Sequence, residues 1–94
     1  MYNQVLQQVR DKIRTRRYVV TIHAEEEMDD DSISIFDVES VVLSGQIDER
    51  QKDTETAEWK YLITGETLAG EKATIVGKLS VTEKLVIITV YRGE

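Results

Sequence analysis

The amino-acid sequence predicts an α+β fold in a single domain spanning residues 1–94. An N-terminal helix, a strand and two short helices precede a three- to four-stranded antiparallel meander, and together the strands form one curved sheet with the helices on one face. Two observations carry this expectation. Apolar residues recur with a period of about 3.6 up to Gly45 and of about 2 beyond it. The later apolar runs are separated by only a few turn-forming residues, which favours antiparallel neighbours.

Tyr2, Val5, Leu6, Val9 and Ile13 lie at helical spacing, so residues 2–15 read as an amphipathic helix that Asn3 is placed to cap. Tyr18 to Ile22 alternates and is β-branched, which reads as a strand. Ala24 and Met28 share one face of a short helix from 24 to about 30 that is otherwise acidic. Ser34 and Asp37 form a variant capping box for a helix through Ile35, Val38, Val41 and Val42, with Gly45 as its stop. Gln46 to Lys52 is then a polar strand of the edge type. Trp59, Tyr61 and Ile63 share one face of the next strand, with Lys60, Leu62 and Thr64 opposite. Gly65 to Gly70 reads as a hairpin loop, Ala73 to Leu79 as a strand, and Leu85 to Tyr91 as a last strand, apolar on both faces and therefore interior.

The net charge of −6 conceals a segregation: +4 over residues 1–22, −11 over 23–58 and +1 over 59–94. So acidic a middle opposes non-specific nucleic-acid binding by the whole surface, while leaving room for a basic patch from the first helix and the last strands. There is no cysteine, so disulfides and thiolate metal sites are excluded. No apolar run is long enough to span a bilayer and no secretory h-region opens the chain, so a cytoplasmic protein is the expectation.

His23, the only histidine, stands between the first strand and six acids: Glu25, Glu26, Glu27, Asp29, Asp30 and Asp31. It reads either as a general acid or base or as a structural residue at a helix start, and the residues alone leave both open. One histidine without a second His or Cys makes a poor transition-metal set, so neither metal nor cofactor is expected. Neither a glycine-rich phosphate loop nor a serine-nucleophile motif is present. Lys60, Lys78 and Arg92 are cations on separate strands, with Tyr61, Thr89 and Tyr91 beside them. A metal-free ribonuclease needs a base, an acid and cations at the phosphate, and these types can supply that set. Parity places Lys78 with Val76, and Arg92 with Val90 and Ile88. Arg14 and Arg17, at the end of the first helix, are candidates for phosphate or acidic-partner contact.

The order of these pieces resembles a small bacterial family, domain of unknown function 4258. The resemblance rests on TIHAEEEM (Thr21–Met28), IFDVESVVLSG (Ile35–Gly45) and VIITVYR (Val86–Arg92), and covers about residues 7 to 92. It implies a RelE-like, barnase-related toxin fold and a metal-independent, mRNA-cleaving toxin of a toxin–antitoxin pair. The implied antitoxin carries a Cys-x-x-Cys zinc module, and RNA or the ribosome is the implied target. His23 carries over directly, and Thr89 and Tyr91 by their place in the last strand. The sequence departs from the pattern that the resemblance implies, in which many relatives carry arginine where Glu27 stands and another near Asp31; this charge reversal opposes phosphate binding. Two functions are therefore expected. One is an endoribonuclease with His23, Lys60, Tyr91 and Arg92 as catalytic residues and Arg14, Arg17, Lys78 and Thr89 binding substrate. The other is a non-catalytic interaction module that docks a partner through residues 18–45.

Overall fold

The computed structural model describes residues 2–93. In chain order its elements are α1 (Asn3–Arg14), β1 (Tyr18–Val20), α2 (Ile22–Asp30), α3 (Ile35–Ser44), β2 (Gln46–Lys52), β3 (Trp59–Glu66), β4 (Lys72–Leu79) and β5 (Leu85–Arg92). The expected α+β class and helical layer are present. The sheet has five strands in the order β1-β5-β4-β3-β2, antiparallel throughout β2 to β5. The first strand is the difference from the expected meander: β1 adds in parallel to the outer side of β5, with Val19 opposite Val86. That placement makes β5 interior over its first half, which is why Leu85–Ile88 is apolar on both faces.

The core lies between the sheet and the helices. Val9 and Ile13 from α1, Ala24 and Met28 from α2, and Val38, Val41 and Val42 from α3 pack on Ile63, Ala73, Ile75, Leu85, Ile87 and Val90. Burying an aliphatic side chain of this size contributes about 1.5–3 kcal/mol, so this layer dominates stability. Six of the ten residues of α3 are large apolar side chains, and the core takes only Val38, Val41 and Val42 fully. Phe36 and Leu43 are left outside.

Capping chemistry sets several boundaries that periodicity misplaces. The first strand ends at Val20 rather than Ile22, because the Thr21 hydroxyl accepts the Ala24 N–H at 3.1 Å and starts α2 at Ile22. Asn3 does not cap α1; it is the first helical residue, after Tyr2. The expected capping box is present: Ser34 Oγ accepts from Asp37 N at 3.1 Å, and Asp37 Oδ2 accepts from Ser34 N at 3.0 Å. Two helices end in Schellman motifs without glycine. Arg16 N–H donates to the Ile13 carbonyl and Arg17 N–H to that of Lys12, while Ser32 and Ile33 do the same for Asp29 and Met28. Arg16 and Ser32 accordingly hold φ of 58° and 55°.

Gly45 ends α3 for a different reason from the one expected. Its φ of −97° suits any residue, but a Cβ there would press into the carbonyls of Val41 and Thr64. Gly65, expected in a loop, lies within β3, where a Cβ would press into the Val41 carbonyl and stand 2.9 Å from Gly45 Cα. The pair lets the end of α3 close directly on β3. A second departure is the irregularity at Ile88: Val76 pairs with Thr89 but Gly77 pairs with Ile87. Both Ile87 and Val90 therefore face the core, and Arg92 follows Val90 but not Ile88.

Candidate functional site

The uncovered face of the sheet gathers four of the eight candidate residues. Lys60 on β3 and Lys78 on β4 flank the Tyr61–Gly77 pair, so they stand at the same level on neighbouring strands. Thr89 lies opposite Val76, and Tyr91 opposite Thr74, whose hydroxyl meets that of Thr64 at 3.2 Å. Arg14 belongs to the helical layer on the other side of the sheet, where Asp11 pairs with it at 3.4 Å. Arg17 opens the segment into β1, and its carbonyl accepts the Leu85 N–H at 3.0 Å.

Each lysine has a carboxylate beside it, and both carboxylates come from the β2–β3 connection. Asp53 Oδ1 accepts the N–H groups of Glu55 at 2.9 Å and Thr56 at 3.4 Å, an Asx-type turn that folds the loop back. Asp53 Oδ2 then stands 3.7 Å from Lys60 Nζ, and Glu58 Oε1 stands 2.9 Å from Lys78 Nζ. The Glu55 amide is the main cause that holds the Asp53 carboxyl below its ordinary range. For Glu58 the hydrogen bond from Lys78 does the same. Both acids therefore stay ionised beside their lysines.

Arg92 turns to the helical side. Its guanidinium donates to the Asp31 carbonyl at the end of α2 and to the Glu71 carboxylate in the β3–β4 connection. α2 has no basic residue in its last turn, and Arg92 supplies the missing cation from β5. Arg92 thus closes a helix terminus and is turned away from the lysines.

His23 sits in the first turn of α2, with its side chain 68% exposed, and Nε2 is 3.4 Å from Glu27 Oε1. The same oxygen accepts the Val90 N–H at 3.1 Å. One helical repeat on, Asp31 Oδ2 accepts the Arg92 N–H at 3.3 Å, and at the other end the Thr21 hydroxyl donates to the Ile88 carbonyl at 3.2 Å. β1 is only three residues long and runs out at Ile87. Beyond it, Thr21, Glu27 and Asp31 replace a missing strand along β5. Leaving the part-buried Val90 amide without a partner costs about 1–3 kcal/mol, whereas water can replace Asp31 at the exposed Arg92 amide. A guanidinium has donors only, so arginine at position 27 or 31 could not accept these amides. The acids at the two positions where arginine is the expected pattern therefore have a structural task.

None of five well-formed grooves among the described residues is lined by His23 together with Lys60, Lys78, Tyr91 or Arg92. Nor do three His, Asp or Glu side chains converge there as a metal-ligand set. One of these grooves, of about 480 Å³, lies between α3 and the β3–β4 connection. Phe36, Glu39, Ser40, Leu43, Ser44 and Leu68 line it; the first five lie within residues 18–45, the region expected to dock a partner, although none of them stands out individually in the sequence. The signal was present in α3, which is apolar around more of its circumference than one core face requires. A second unforeseen cluster sits on the helical side of the β2–β3 edge. There the Arg50 guanidinium lies 4.0 Å, and Lys52 Nζ 5.7 Å, from the centre of the Trp59 ring.

No helix of the described residues is long and apolar enough to cross a membrane. A family model described as Domain of unknown function (DUF4258) matches residues 20–92, from the end of β1 to the last residue of β5. No curated protein and no solved structure matches the chain.

Proposed function

The chain belongs to the DUF4258 family, and from that premise we propose that it is a cytoplasmic, non-catalytic interaction module, a toxin-like domain that binds a protein partner. The observation that carries this reading is the pairing of the candidate cations: Lys60 with Asp53, Lys78 with Glu58, Arg92 with Glu71 and Arg14 with Asp11. An exposed ion pair is worth only about 0–1 kcal/mol, so pairing alone does not bar a phosphate. Its effect is on the field. The carboxylate displaced by a phosphate remains within a few ångströms, so the incoming anion meets a site of almost no net positive charge. His23 adds to the mismatch, since its imidazole stands beside Glu27, another acid, whose carboxylate is itself bound to the β5 edge.

The sharing of one sheet face by Lys60, Lys78, Thr89 and Tyr91 favours a second reading, the metal-independent mRNA endoribonuclease of a toxin–antitoxin pair. One assay separates the two. Purified full-length protein is incubated with single-stranded RNA in EDTA, beside His23→Ala and Lys78→Ala. Intact RNA in all three samples is the expected result. Cleavage by the wild type that persists in EDTA and is lost in His23→Ala establishes the ribonuclease instead.

A further inference from the structure

We propose that the groove between α3 and the β3–β4 connection is the partner-binding surface, and that its occupant is a basic amphipathic helix. The inference rests on the interaction-module reading and names the partner class for it. Phe36, Leu43 and Leu68 are 61%, 40% and 70% exposed, and all three line this one groove. Phe36 and Leu43 are seven residues apart on α3, two helical turns or about 10 Å, the repeat that a facing helix presents with apolar side chains at i, i+3 or i+4, and i+7.

The groove is already built. The Ser40 hydroxyl donates to the Glu66 carbonyl at 2.8 Å, and Ser44 Oγ accepts the Glu66 N–H at 3.0 Å, which locks α3 onto the end of β3. Asp37 Oδ1 accepts the Leu68 N–H at 3.0 Å, which holds the turn carrying Leu68 against the start of α3. The polar groups of the groove therefore satisfy one another, and the apolar side chains are left for an incoming chain. A surface rigid before binding loses little ordering entropy.

Charge defines the occupant. From Ile22 to Gly45 the chain has eight acids and no lysine or arginine. Glu39 lines the groove, and the Asp37 carboxylate stands at one end of it, where it accepts the Leu68 N–H. Glu39 uses Oε2 to accept the Tyr18 hydroxyl at 2.7 Å; Oε1 makes no hydrogen bond among the described residues. A lysine or arginine flanking the apolar stripe of a partner helix meets this carboxylate directly, whereas an acidic helix is repelled.

The test uses the full chain and three synthetic peptides: a lysine-rich amphipathic helix with leucines at heptad spacing, the same composition scrambled, and an acidic amphipathic counterpart. Fluorescence anisotropy is expected to show saturable binding of the first alone, weakened about tenfold or more by Phe36→Asp or Leu68→Ser. Both side chains are exposed, so thermal melts of the variants report whether folding is intact. Equal binding of the scrambled or acidic peptide overturns the proposal, as does undiminished binding to a folded Phe36→Asp protein. Sedimentation showing a concentration-dependent dimer that Phe36→Asp abolishes overturns it in favour of a second copy of this chain. Peptide binding by a protein that also cleaves RNA would refute the non-catalytic reading while leaving the groove's role intact.

Discussion

Glu27 is the residue whose sequence context is most misleading. Counted as charge, it belongs to a repulsive acidic block; in the structure its carboxylate accepts the Val90 amide that β1 is too short to reach. Gln retains an acceptor and Arg does not. Glu27→Gln is therefore expected to be nearly neutral, whereas Glu27→Arg loses about 1–3 kcal/mol in chemical denaturation, with faster hydrogen exchange at the Val90 amide. Equal stabilities and unchanged exchange at Val90 count against the edge-capping role. His23, Lys60, Lys78 and Arg92 stand out in the sequence by residue type, but their partners do not. Asp53 and Glu58 reach the lysines through a turn whose course depends on the sheet register. The direction of Arg92 depends on an irregularity at Ile88 that alternation does not encode.

At the scale of elements, most of the fold was readable because local preference and burial agree. α3 combines a capping box with a buried valine face, and β2 is polar because it is an edge strand with a register shift at Asp48 that further blunts pairing with other chains. What was not readable was contact over distance: the parallel docking of β1, and the close approach that Gly45 and Gly65 permit. Asp37 joins the two scales, since it caps α3 and anchors the β3–β4 turn. The Ser34 amide foremost, and then that of Leu68, hold its carboxyl below the ordinary range. A depressed folded pKa means stability that is fully present above the unfolded carboxylate value of about 3.9 and is lost as pH falls through the lower folded value. Asp37→Ala is expected to cost about 1–2 kcal/mol at pH 7 in urea titrations. The gap from wild type should close on acidification to below that folded value. A gap that stays constant across the titration excludes this linkage.

Over the whole molecule, both sheet edges and both sheet faces have distinct treatments. The polar β2 forms one edge, β1 followed by the acids of α2 lines the other, the helices cover one face, and paired charges occupy part of the other. The segregation of charge seen in the sequence becomes a helical layer that is acidic from α2 through α3, with an apolar groove beside it. That arrangement suits a cationic protein partner better than a polyanion. The same distribution leaves the uncovered face with lysines but little net field, the central distinction between an interaction module and a ribonuclease. The most direct measurement is an NMR titration of uniformly ¹⁵N-labelled protein with a short single-stranded RNA at low salt, where electrostatic binding is strongest. The amides of His23, Lys60, Lys78, Thr89 and Tyr91 are predicted to keep their positions throughout. Saturable, salt-sensitive shifts concentrated at those residues would contradict the neutralised-face interpretation and restore RNA as the ligand.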